Sequence, residues 1–135
     1  MTTELWILAA CALMAPLLTF PILVGRATTP GGTQWGLGNR DAPMEFPDWV
    51  RRAERAHGNL LENLPTFAVF VLIAHLTQVH TSLTVAGATL FLVGRVLHAG
   101  ILLAGVKVVR TLVFLLAQVG SILIFVELVR AGLAR

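Results

Sequence analysis

The chain has 135 residues, 56% of them hydrophobic and 13% charged, and its mean hydropathy is +0.81. A soluble domain carries about 25% charged residues, and a chain this short makes one domain, so much of its apolar surface must be solvated by lipid. The net charge of +3 does not point to nucleic acid, because the basic residues sit at the ends of apolar segments, and the single cysteine, Cys11, excludes an intrachain disulfide and a cysteine-based metal site.

The first apolar run, Leu5–Val24, is read as a membrane helix over about residues 4–24. It is not a signal peptide, since Met1-Thr-Thr-Glu4 carries no basic residue and the run is too long. Leu8-Ala9-Ala10-Cys11 looks like a lipoprotein cleavage box, but the apolar stretch before it is too short for the core of a signal. Gly25–Pro47, rich in Gly, Pro, Thr and Asn, reads as a loop.

The second predicted helix covers about residues 48–80, with Asp48 as its N-cap after Pro47, Leu60–Val79 as its apolar part and a kink at Pro65. At 100° per residue Asp48, Arg52, Arg55, Asn59, Glu62, Asn63 and Thr66 fall within an arc of roughly 100°. His57 and Glu54 point elsewhere. A solvated helix end with snorkelling arginines accounts for Arg51 and Arg52. It accounts poorly for Asn59 and Glu62, since charge inside a bilayer is expensive and usually functional.

After a turn at Gln78–Ser82, a third helix is expected over 83–104. Arg95 and His98 lie one turn apart on the same face of it. Arg95 and Glu62 lie at matching depths, roughly 13 and 15 Å along their helices, which predicts a buried Glu62–Arg95 ion pair. Arg95 could equally contact a ligand. A turn at Gly105–Lys107 leads to a fourth helix over 108–131, opened by Arg110 and Thr111. Gln118 and Ser121 on roughly the same side read as interhelical glue. Arg110 at a helix start gains nothing from the dipole, and is either a positive-inside anchor or a ligand group.

Arg26, Arg40, Arg51, Arg52, Arg55, Lys107 and Arg110 lie on one side, against Arg130 and Arg135 on the other. The positive-inside rule places the first side in the cytoplasm and both termini outside. The expected fold is therefore an all-α integral membrane protein, a four-transmembrane-helix bundle. Its polar groups form a cationic pocket open to the cytoplasm, suited to a small anionic ligand with peptide-like groups.

Arg55-Ala56-His57-Gly58-Asn59-Leu60-Leu61-Glu62, followed by Pro65 and Phe67, resembles the Arg-Ala-x-x-Asn-x-x-Glu signature of the membrane-associated proteins in eicosanoid and glutathione metabolism, the MAPEG superfamily. Leu92-Val93-Gly94-Arg95-Val96-Leu97-His98 resembles the third helix of its microsomal prostaglandin E synthase branch, and Arg110-Thr111 with Leu116-Ala117-Gln118 the fourth. The three matches fall in order over about residues 50–130. The nearest kin by this resemblance are the prostaglandin E synthases and the microsomal glutathione transferases.

The resemblance implies a homotrimer with glutathione at each subunit interface near the cytoplasmic face. It implies that Arg55, Asn59, Glu62 and His98 hold the tripeptide and that Arg110, with Thr111 beside it, stabilises the thiolate. It implies attack on a lipophilic electrophile dissolved in the bilayer, by conjugation or by peroxide reduction, with no metal. The chain departs from the pattern at Leu102, where several members have tyrosine, and at Gly58, where the prostaglandin branch has arginine. A non-enzymatic lipid-ligand scaffold is the alternative, and a channel or transporter a weaker one, since no broken-helix repeat is visible. Gly38-Asn39-Arg40-Asp41 resembles bacterial members, which implies a bacterial inner membrane. Either Arg40 or Arg26 could cap the pocket, although turn chemistry explains the motif equally well.

Overall fold

A computed structural model describes residues 1–106 and 108–134. Lys107 and Arg135, counted above among the basic residues of the two sides, lie outside the described residues. The helices are α1 (Thr3–Thr28), α2 (Gly32–Leu37), α3 (Asp48–Leu76), α4 (Ser82–Ala104) and α5 (Val109–Leu133). α1, α3, α4 and α5 are each long and apolar enough to cross a membrane, and the described residues contain no strand. α3 is the least apolar of the four, because its polar stripe continues below the first turns.

The bundle runs up and down. α4 and α5 pack most extensively, then α1 against α3, with α3 and α4 joining the two pairs. Small residues set the α4–α5 distance. A Cβ added to Gly87 would stand 2.6 Å from the Gly120 carbonyl oxygen, and one on Gly120 would stand 2.4 Å from that of Gly87. With lipid outside, helices associate by such close backbone packing and by interhelical hydrogen bonds. Phe67 of α3 stacks on Phe91 of α4, their centroids 3.9 Å apart, in a core with Cys11, Val71, Ala117 and Ile124. A smaller cluster of Leu18, Ala56, Leu60, Ala99 and Leu102 lies towards the basic end. The outside of the bundle is covered by exposed Leu13, Leu17, Phe20, Leu72, Leu112, Leu115 and Ile122, an inverted polarity that suits lipid and not water.

The helix ends explain the differences from expectation. α4 begins with a reciprocal capping box, Thr84 N–H to Thr81 Oγ1 at 3.2 Å and Thr81 N–H to Thr84 Oγ1 at 3.0 Å. It ends where Gly105 turns left-handed, φ 80°, so that the N–H groups of Gly105 and Val106 close on Leu102 and Ile101. α3 stops at Leu76 rather than near residue 80, because Gln78 adopts φ 58° and the Val79 N–H closes back on Ala74. Its N-cap is Pro47 and not Asp48, whose carboxylate instead accepts from Arg51 one turn along.

The expected loop over 25–47 is partly helical. α1 continues to Thr28, held by Arg26, whose Nε and Nη2 donate to Glu54 Oε1 of α3 at 3.1 and 2.9 Å. α2 follows, and Trp35 closes the segment by donating to the Ala42 carbonyl at 2.7 Å and meeting Phe46 edge-on. Glu54 and His57, off the polar stripe of α3, are the residues that face α1; His57 Nε2 lies 3.3 Å from the Thr19 hydroxyl.

Candidate functional site

At the basic end, where α3 and α5 begin and α4 stops, a cleft of about 300 Å³ is lined by Arg55, Asn59, His98, Leu102, Arg110, Thr111 and Phe114. A second cleft of about 430 Å³ adjoins it, lined by Asp48, Arg52, Arg55, Leu102, Gly105, Val106 and Arg110. They share Arg55, Leu102 and Arg110, so they form one groove. Its size is that of a small-molecule site.

Helical spacing builds the walls. Arg55 and Asn59 stand one turn apart on α3, His98 and Leu102 one turn apart on α4, and Arg110, Thr111 and Phe114 on the first turns of α5. Arg55 and Arg110 are both exposed to the groove and have no hydrogen bond or ion pair among the described residues. His98 is 6% exposed, its ring 6.1 Å from that of Phe114, and no hydrogen bond among the described residues engages it. Cations with no assigned acceptor, an imidazole and a hydroxyl converge here, with one carboxylate, Asp48, at the outer rim.

Beneath this groove Arg95 is 2% exposed. Its Nη1 donates to Asn59 Oδ1 at 2.7 Å, and its guanidinium lies over the rings of Phe91 and Phe114, at 4.9 and 5.2 Å. Its Nε and Nη2 are buried without a partner among the described residues. The expected Glu62–Arg95 ion pair is absent among the described residues. Glu62 is exposed and lines neither cleft. Matching depth was not enough, because Asn59 lies on the α4 side of the stripe and takes the guanidinium, while Glu62 turns outward. A permanent cation with no carboxylate nearby raises the positive potential behind Asn59 and His98.

Other residues of the stripe join helices. Asn63 donates to the Asn59 carbonyl at 2.7 Å and accepts from Gln118 Nε2 at 2.6 Å, joining α3 to α5. Gln118 is thus interhelical glue, and Ser121 is buried. Arg52, expected as an anchor, donates to the Leu103 carbonyl at 3.2 Å and so closes the last turn of α4 while lining the outer cleft. Arg26 and Arg40 do not cap the groove, since neither lines it. Phe114 escaped the sequence reading. The signal was its place one turn beyond Arg110 and Thr111, on the face those two share.

The sequence profile of the MAPEG family matches residues 6–130. The chain belongs to the MAPEG family. The match takes in all four membrane-length helices and every residue of the groove. No curated protein and no solved structure matches the chain. MAPEG membership is consistent with a multi-pass integral membrane protein and suggests chemistry related to glutathione or eicosanoids. Chemically, the groove offers an organic anion two guanidinium groups that have no acceptor among the described residues. A cation beside a thiol of pKa about 8.5 raises its thiolate fraction at neutral pH.

Proposed function

We propose that the protein is a membrane-bound glutathione transferase, which takes a lipophilic electrophile from the bilayer. The observation that carries this reading is the convergence of Arg55, Asn59, His98, Arg110 and Thr111 on one groove of a single chain, with both arginines lacking an acceptor among the described residues. The carboxylates of the tripeptide pair with Arg55 and Arg52, where planar forks suit them. Asn59, held by Arg95, and His98 meet its amide groups. Arg110 faces the sulfur and Thr111 donates to it. The thiol proton passes to water at the open mouth, the thiolate attacks the electrophilic carbon, a C–S bond forms, and the leaving group departs with its electron pair. With a hydroperoxide the same thiolate attacks the terminal oxygen, the O–O bond breaks and the alcohol leaves, and a second glutathione thiol then displaces water from the resulting sulfenic acid to give the disulfide.

The positive-inside bias supports a groove facing the cytoplasm, with both termini outside. Glu62, exposed on a membrane-length helix, supports assembly with further copies, because a carboxylate at that depth is covered by protein rather than lipid. A homotrimer is the assembly we assign, in which Glu62 meets the neighbouring subunit's ligand or surface.

Calorimetric titration of the detergent-solubilised protein with glutathione tests the proposal. Saturable binding at millimolar concentration or below is expected, and absence of heat would remove it. The alternative, a lipid-ligand scaffold, draws on Leu102, which puts an apolar side chain into both clefts where several members have a tyrosine. It predicts ligand binding without turnover of an activated aryl chloride, whereas the transferase releases chloride in step with loss of free thiol.

A further inference from the structure

The Gly38-Asn39-Arg40-Asp41 motif takes no part in the groove at Arg110, yet it builds a specific feature. Arg40 adopts φ 61°, a left-handed conformation costly to a residue with a Cβ. The turn folds its side chain back onto α2. Nε and Nη2 donate to the Gly36 carbonyl at 3.3 and 3.1 Å, and the guanidinium lies 5.5 Å from the Trp35 ring centroid. Arg26 reaches the same indole from α1, also at 5.5 Å. Beside them, between the end of α1 and α2, lies a cleft of about 180 Å³ with apolar walls that include Leu23, Ala27 and Leu37 and with Arg26 and Arg40 in its lining.

The two cations are unequal. Arg26 is neutralised by Glu54, whereas Arg40 has no ion pair among the described residues. The Nη1 group of each is without an acceptor among the described residues. Leu37, the last residue of α2, is 86% exposed, close in the chain to Trp35 and Arg40. The apolar run of α1 ends at Val24, which sets this cleft at headgroup level.

We propose that this cleft seats an anionic phospholipid, with its phosphate on Arg40 and Arg26 and the top of one acyl chain along Leu23, Ala27 and Leu37. Apolar walls are wrong for a free soluble anion and right for a lipid. Guanidinium forks match phosphate oxygens, and tryptophan is favoured at the membrane interface. The unneutralised charge of Arg40 gives the preference for an anionic lipid over a zwitterionic one. The site is separate from the groove and does not depend on glutathione.

Trp35 supplies the readout. The Trp6→Phe, Trp49→Phe protein leaves it as the sole tryptophan. This protein is reconstituted into phosphatidylcholine vesicles doped with brominated-chain phosphatidylglycerol or, at the same fraction, brominated-chain phosphatidylcholine. The anionic quencher should act at about fivefold lower surface fraction, the preference expected of one interfacial arginine. Arg40→Gln should abolish the preference. So should Arg40→Gly, which suits the left-handed turn and so removes the charge without straining the fold. Arg130→Gln, at the opposite end, should retain it. Equal quenching by the two lipids, or a preference that survives both Arg40 variants, would overturn the proposal. Soluble glycerol phosphate relieving the quenching would also overturn it, by showing a site for free anions. As a check on the unmodified chain, phosphatidylglycerol should remain bound in preference to phosphatidylcholine through detergent exchange, read by mass spectrometry.

Discussion

The two ends of the bundle use polar groups in opposite ways. At the end away from the groove, carboxylates are buried and engaged. Glu4, 3% exposed, accepts from Thr84 Oγ1 at 2.7 Å and faces His80 Nδ1 at 3.5 Å. Glu127, also buried, accepts from Arg130 at 2.9 Å. These groups tie α1 to the α3–α4 turn and close the last turns of α5. At the groove end the charges are cations, Arg55 and Arg110 have no acceptor among the described residues, and the buried Arg95 keeps two donors unmatched. Buried polar groups are normally satisfied. His75 Nδ1, at the far end, is likewise buried without a partner among the described residues, so what sets the groove end apart is positive charge without an acceptor, and that marks it as the place where an anion is expected to bind.

The largest effect that would break this contrast is at Arg110. Arg110→Ala should lower glutathione turnover about 100-fold, the usual loss for a preorganised charge donor, with little change in thermal unfolding in detergent. A fall in stability with unchanged turnover would make Arg110 an anchor. Next comes Asn59→Ala, which leaves Arg95 with no hydrogen bond. It should cost about 2 kcal/mol in unfolding free energy, and Arg95→Met in the same chain should recover part of the loss, because the two act as a unit. Simple additivity in that cycle would uncouple them.

At the opposite end, Glu4→Ala should cost only about 1 kcal/mol, because the Thr84 hydroxyl keeps the Thr81 carbonyl as acceptor, while leaving the KM for glutathione unchanged. A raised KM would erase the distinction between the ends. The smallest effect is expected at Glu62. Its exposure in the single chain predicts that Glu62→Gln shifts the unfolding of dissociated subunits by less than about 0.5 kcal/mol. A loss confined to the assembled protein would place it at a subunit contact.

Four membrane helices were legible because spanning length and apolar composition are nearly sufficient signals. Of the groove residues, Arg55, Asn59 and Arg110 were legible because they stand where polar groups are expensive or gain nothing from the helix dipole, and His98 and Thr111 because they fall in the motifs that carry the resemblance. What failed was the choice among neighbours. Whether Asn59 or Glu62 meets Arg95 depends on which edge of a 100° arc faces α4, and that is set by interhelical packing at Phe67–Phe91 and Asn63–Gln118. The helical turn at Gly32–Leu37 was hidden by its glycines, and it forms because Arg26, Trp35 and Phe46 pack around it.

The central claim is that Arg110 faces a glutathione sulfur. The most direct measurement is the ultraviolet difference spectrum of the protein on adding glutathione at neutral pH. A thiolate band should appear in the wild-type protein and vanish in Arg110→Ala, while S-methylglutathione still binds both. No band with the wild type at saturating glutathione, or an equal band in the variant, would contradict the account.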